Sequence, residues 1–143
     1  MAKKASNTIK QVAKLMRALD FCMLTTYSTR GGMRARPMSN NGEVEFDGDV
    51  WFFSAADSRK VRDIEATPRV HLSYVDLEQW RFISMTGRAR IVRDPEKKRE
   101  LWIDELERWF DEGPESESVV LIKVTPTVVA YWTKRDEGEL KIG

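Results

Sequence analysis

Histidine and cysteine are almost missing from this chain: one of each, His71 and Cys22, in 143 residues. A structural zinc centre takes four nitrogen or sulfur ligands, and a catalytic one commonly uses two or three histidines, so a zinc enzyme is close to excluded and no metal site is expected. A disulfide within the chain is excluded, and a lone cysteine fits a reducing compartment. A Ser–His–Asp triad would have to use His71, and there is no G-x-S-x-G turn to present a serine. Long apolar runs are lacking as well. The longest is Val128-Val129-Ala130-Tyr131-Trp132, far short of the ~20 residues of a spanning helix. The start, Met1-Ala2-Lys3-Lys4, leads into polar residues rather than the apolar core of a signal peptide, so a cytoplasmic location is expected. An excess of one charge is lacking too. Lys and Arg number 24 against 23 Asp and Glu, a net charge of +1, which argues against nucleic acid as the main partner.

What is present is aromatic surface: five Trp, six Phe and three Tyr. Charged residues make up 33% and hydrophobic residues 41%, the balance of a globular protein. The length suits a single domain over residues 1–143, with a core at 8–133 and a charged tail at 134–143. A chain of this size buries roughly 68–70% of its unfolded surface and needs no covalent staples.

Residues 8–20 read as an amphipathic helix with Ile9, Val12, Met16 and Leu19 on one face and Ser6 or Asn7 as cap. Phe21–Tyr27 and Met33–Ser39 read as a hairpin turned by Arg30-Gly31-Gly32. Glu43–Phe46 and Val50–Ser54 read as another strand pair. Ser58–Ala66 reads as a short helix ending before Thr67-Pro68. Arg69–Val75 alternates Val70, Leu72 and Tyr74 inward with Arg69, His71 and Ser73 outward. Trp80–Val92 is a long strand with Gly87 as a bulge point. Asp94-Pro95-Glu96 starts a third helix expected to reach Phe110, with Leu101, Leu106 and Trp109 on one face. Val119–Trp132 supplies one or two strands broken near Pro126. The tail is expected to fray or to lie across a partner. The sum is a mainly β chain: an antiparallel barrel of six to seven strands with three flanking helices.

Two basic segments stand out. On a strand, Arg34 and Arg36 of Arg34-Ala35-Arg36-Pro37-Met38 project to the same side about 7 Å apart. Their guanidinium groups repel unless an anion or carboxylates lie between them, and a phosphate suits their planar forks. The alternative is two solvated arginines paired with Glu43 or Glu45. Ser58-Arg59-Lys60-Val61-Arg62-Asp63-Ile64 places a hydroxyl and two cations in the first turn of a helix. Cations there oppose the helix dipole, and a bound anion would reverse that conflict. The alternative is a basic surface turn. Most of the aromatic residues are core material. Those near the end of an element, such as Trp132, are the better candidates for a ligand wall. Together the pieces describe phosphate-seeking cations beside a flat aromatic cleft, suited to a phosphorylated planar ligand.

At this point a resemblance becomes specific. The ordered set is Arg36-Pro37-Met38, Val50-Trp51-Phe52-Phe53-Ser54, Asp57 to Ile64, Pro68 to Ser73, Ser84 to Ala89, Leu121 to Val124 and Ala130-Tyr131-Trp132. It is similar to the pyridoxamine 5′-phosphate oxidase-like FMN-binding split barrels, in particular the general stress protein branch, over roughly residues 8–133. The resemblance implies a Greek-key split barrel holding FMN at a homodimer interface. It implies that Arg36 and Lys60 bind the FMN phosphate, with Ser58 and Arg59 nearby, in the same basic cluster as Arg34, where a dianion would restore neutrality. It further implies that Phe53-Ser54 runs along the isoalloxazine ring, that Pro37, Met38 and Ser39 flank the ribityl chain or ring, and that Trp80 and Trp132 of a second subunit close the pocket. The implied activity is a flavin-dependent oxidoreductase, with NAD(P)H or another small molecule as redox partner. The alternatives are a non-enzymatic flavin-sequestering protein, or a binder of deazaflavin or heme. The tail, Lys134-Arg135-Asp136-Glu137-Gly138, lacks the Arg-x-His element of the true pyridoxamine-phosphate oxidases, so oxidation of vitamin B6 is not expected. Heme-handling relatives use additional histidines, and His71 reads as structural.

Overall fold

The computed structural model describes residues 2–42 and 45–142, with side chains described from residue 7 onward. Helix α1 (Ala2–Met16) comes first, then strands β1 (Phe21–Tyr27), β2 (Met33–Ser39) and β3 (Val50–Ala55). Helix α2 (Arg59–Ala66) leads to β4 (Arg69–Asp76) and β5 (Arg81–Val92). Helix α3 (Pro95–Leu101), a 3₁₀ helix (Asp104–Arg108), β6 (Val119–Trp132) and β7 (Glu137–Lys141) complete the chain. The strands form one antiparallel sheet in the order β2-β1-β4-β5-β6-β3, with β7 added to β6. This is the expected split barrel with three flanking helices. No helix among the described residues is long and apolar enough to cross a membrane.

Alternation decides which side of each strand meets the core. Val70, Leu72 and Tyr74 are buried, as read, and they face Leu24 and Cys22 of β1, Ile83 and Met85 of β5 and Val129 of β6. Val12, Met16 and Leu19 of the α1 stripe cover the same core. The hairpin over residues 21–39 forms with Phe21 opposite Ser39 and Tyr27 opposite Met33.

The split arises at one point on β6. Residues 119–124 pair with β3, and residues 128–132 pair with β7, while β5 runs along the other side throughout. Pro126 stands where the partner changes, and it has no N–H to donate to a ladder. It lies opposite Gly87, where the β5–β6 register shifts. A Cβ at Gly87 would sit 2.6 Å from the Thr125 carbonyl oxygen and 2.9 Å from the Pro126 Cα. The bulge expected at Gly87 is therefore present, and only glycine permits the close approach.

Several expectations are corrected. Helix α1 starts at Ala2, so Asn7 lies inside it and caps nothing, and Ser6 falls among the residues whose side chains are not described. It stops at Met16 because Ala18 takes a left-handed conformation, φ 65°. Strand β3 pairs with β6, and of the strand read at Glu43–Phe46 only Glu45 and Phe46 are described. Glu43 and Val44 lie outside the described residues, and Glu45 and Phe46 are not in a strand. The third helix ends at Leu101, not Phe110. Trp102 and Ile103 are extended, and the Trp102 ring meets Phe53 edge to face at 5.3 Å. Burying that indole outweighs helical propensity, and Trp109 is left 76% exposed rather than sharing a face with Leu101. The tail does not fray: β7 pairs residues 137–141 with β6, and Leu140 and Ile142 pack on the core.

Candidate functional site

The site is built at the free edge of β2. Burial alternates along this strand, with Arg34, Arg36 and Met38 half-buried and Met33, Ala35, Pro37 and Ser39 exposed. Arg36 lies opposite Leu24 and Arg34 opposite Thr26, so both arginines project to the core side of the sheet. The residue that meets them is Asp63 of α2, which is 2% exposed. Arg34 Nη2 donates to Asp63 Oδ1 at 3.0 Å. Thr26 Oγ1 donates to Asp63 Oδ2 at 2.8 Å and accepts from Arg36 Nη1 at 2.7 Å. Arg36 Nη1 also donates to the Leu24 carbonyl at 3.2 Å, and its Nη2 lies 3.9 Å from Asp63 Oδ2.

The alternative reading paired these arginines with nearby acids such as Glu43 or Glu45; the acid that meets them is Asp63. Glu43 lies outside the described residues, and Glu45 is exposed. Asp63 belongs to the basic segment Ser58–Ile64, whose charge pattern by itself assigns it no part. A signal was there: Asp63 sits between Val61 and Ile64, which carry the apolar face, so a carboxylate at 63 is drawn inward beside them.

The helix that brings Asp63 in also brings cations. Ser58 caps α2 with extended backbone but makes no side-chain cap bond, and its hydroxyl instead meets that of Ser54 at 3.0 Å. Ser54 is buried at the end of β3, so the hydroxyl pair ties the strand to the helix start. Lys60 is half-buried and Arg59 exposed, and among the described residues neither side chain meets an acid. Burial, with the Arg36 charge adding to it, pulls Lys60 below its usual pKa. Burial also lowers Arg36, Asp63 opposes this, and Arg34 and Arg59 add to the lowering. Arg30, Arg34, Arg59 and Arg62 line a cleft of about 440 Å³ with Ser28 and Thr29, Asp63 being its one acid. Cations crowded this way cost energy until an anion arrives.

The remaining expected residues fall in two places. Ser39, Asn40 and Asn41 at the end of β2 face Val50, Trp51 and Phe53 of β3 across a groove that Leu101, Ile103 and Leu106 help to wall. The two open edges of the sheet thus meet there, with Phe53 packed against Trp102 and Phe110. Met38 packs against the core, while the Ser39 hydroxyl donates to the Asp20 carboxylate on the other side of the strand. Trp80 and Trp132 are not brought to these clefts within one chain. They lie with Phe82 on the outer side of the sheet, 48% and 44% exposed.

His71 is on that outer side too. Its ring nitrogens meet Ser84 Oγ at 2.7 Å and Ser73 Oγ at 3.3 Å, and burial lowers its pKa. Cys22 is buried against Tyr74, and burial pushes the thiol up to about 12, so it is inert at neutral pH.

With this geometry in place, the comparison with known proteins is direct. Residues 7–143 match the family described as pyridoxamine 5′-phosphate oxidase like. The chain belongs to that family. General stress protein 26 of Bacillus subtilis is 30% identical over 98 residues, covering 65% of this chain and 69% of that protein. Protein bli-3 of Neurospora crassa is 25% identical over 132 residues, and the match spans 86% of this chain but 63% of that longer protein. The crystal structure of the general stress protein 26 from Bacillus anthracis superposes with a TM-score of 0.76 at 24% identity, over 96% of this chain and 98% of the other. A structure named F420 Reductase is 26% identical with a TM-score of 0.60, over 81% of this chain and 93% of the other.

Proposed function

We propose that this family member binds FMN and uses it as an oxidoreductase of the general stress protein type. The observation that carries the reading is Lys60: a half-buried ammonium beside Arg36, with no acid of its own among the described residues. A phosphate dianion at that point would take the charge of Lys60 and the free N–H groups of Arg36, with Arg34, Arg59 and the Ser58 hydroxyl around it. The donor set fits a phosphate monoester. From there the ribityl chain and ring would follow the groove between the β2 and β3 edges, past Met38 and Ser39 towards Phe53 and Ser54. Among the described residues the outer edge of β3 pairs with no strand, so its backbone groups are available to the polar rim of a flavin. Bound FMN would supply two-electron redox chemistry, with NAD(P)H or another small molecule as donor. The protein's part is binding, orientation and exclusion of water. No side chain in the cleft needs to act as general base.

A homodimer completes this reading. Phe21, Met23, Met33, Val75, Leu77, Trp80 and Trp132 are all at least 42% exposed, and the strand members share the outer side of one sheet. An apolar patch of that kind marks an interface. A second copy seated there would bring Trp80 and Trp132 to the flavin. FMN and riboflavin titrations by flavin fluorescence test the cofactor. Tight FMN binding with much weaker riboflavin binding is expected, and no FMN binding overturns the reading. The likeness to the structure named F420 Reductase favours a deazaflavin as the second reading, decided by competition against bound FMN.

A further inference from the structure

Asp63 is a negative charge inside a site read as anion-binding. As a plain counter-charge it would weaken any phosphate bound beside it. Its geometry describes a different part. Three elements meet on its two oxygens: β2 through Arg34, β1 through Thr26 and α2 through Asp63 itself. Arg34 Nη2 reaches both oxygens, at 3.0 and 3.4 Å. Arg36 is reached at second hand: the Thr26 hydroxyl gives its proton to Asp63 and takes one from Arg36 Nη1. Leu24 fixes the same nitrogen by its carbonyl. Thr26 is fully buried and Asp63 nearly so, so water does not compete for these bonds. Two arginines placed two residues apart on an edge strand would otherwise swing into solvent and away from each other.

We propose that Asp63, acting through Thr26, is the positioning residue of the anion site, holding Arg34 and Arg36 in the orientation that receives the phosphate. The inference rests on the FMN-phosphate reading only for the identity of the ligand. It deepens that reading by assigning a carboxylate the work of preorganising two cations. It also reverses the sign that charge counting gives. Removing a buried negative charge from an anion site should tighten binding, whereas removing this one loosens it.

The test uses the full chain in three forms, wild type, Asp63→Asn and Thr26→Val. Each is titrated with FMN, riboflavin and inorganic phosphate, the last read as a shift in melting temperature. Thr26→Val keeps the β-branched shape and every charge while cutting the Asp63-to-Arg36 relay. Asp63→Asn is expected to raise the Kd for FMN at least tenfold and Thr26→Val at least threefold. Riboflavin binding, which lacks the phosphate, stays within twofold in both. The phosphate concentration giving half the melting shift rises in the same order. An FMN Kd that is unchanged or lower in folded Asp63→Asn overturns the proposal. If that variant does not fold, an unchanged Kd in Thr26→Val overturns it. A wild type that ignores FMN but shows an Asp63-dependent response to phosphate removes the flavin reading and leaves Asp63 in its role. Indifference to both ligands removes both.

Discussion

Lys60→Met puts the anion-site reading at risk in two directions at once. Methionine keeps the length and apolar stem of lysine and deletes the charge. In the free protein that charge is a burden, because Lys60 is half-buried, sits beside Arg36 and meets no acid among the described residues. Removing it should stabilise the free chain. The group is half-exposed, so solvent screening holds the gain to at most about 1 kcal/mol, a rise of roughly 2–4 °C in melting temperature for a chain near this size. Linkage gives a further signature. The folded-state pKa of Lys60 lies below its unfolded value, so between the two the unfolded state holds more protons and wild-type stability climbs with pH. The advantage of Lys60→Met should therefore shrink as pH rises towards about 10.4. Binding moves the other way. Losing a hydrogen bond between two charged groups costs about 1.5–3 kcal/mol, or roughly 10- to 150-fold in Kd. FMN affinity should fall by that factor while riboflavin affinity holds. Melting curves across pH and flavin titrations read both. A variant less stable than wild type, or one with an FMN Kd within twofold of it, refutes the reasoning.

Gly87→Ala should cost about 2 kcal/mol, because its Cβ meets backbone that cannot move without breaking the β5–β6 ladder. A melting temperature roughly 4–8 °C lower is expected, and an unchanged one would show that the register shift absorbs a methyl group. Since burial lowers the pKa of His71, the folded state binds its proton less readily than the unfolded one. Acidification below about pH 6.5 should thus destabilise wild type, and His71→Gln should flatten that dependence in denaturant midpoints measured from pH 5.5 to 7.5. Val75→Asp places a charge on the exposed apolar side of β4 and should yield a monomer by light scattering. A monomeric wild type at high concentration would end the dimer reading.

Most of the local structure was legible because it follows from local chemistry. The alternation of Val70, Leu72 and Tyr74, the hairpin around Gly31 and the α1 stripe depend on residues near one another in the chain, and all three are present. Where the reading went astray, distant contacts decided. Helix α3 stops at Leu101 because Trp102 has Phe53 to pack against, and no property of residues 95–110 announces that partner. The tail, read by its charge, is a strand because β6 has an open edge beyond Pro126 for Leu140 and Ile142 to cover.

The site divides along the same line. The sequence by itself determined that a zinc centre and a Ser–His–Asp triad lack their ligands, since one histidine and one cysteine are too few. It also marked two cationic segments, at Arg34 and Arg36 and at Arg59 and Lys60, as candidates for an anion. Periodicity alone put the two arginines on one side of a strand. Only the tertiary structure decided which cations are satisfied. Folding α2 against β1 carries Asp63 to Arg34 and Arg36 across 29 and 27 residues of chain and leaves Lys60 without a counter-charge among the described residues. Charge and spacing are written in the order of residues, but pairing depends on which elements meet, and burial settles how much each pairing is worth.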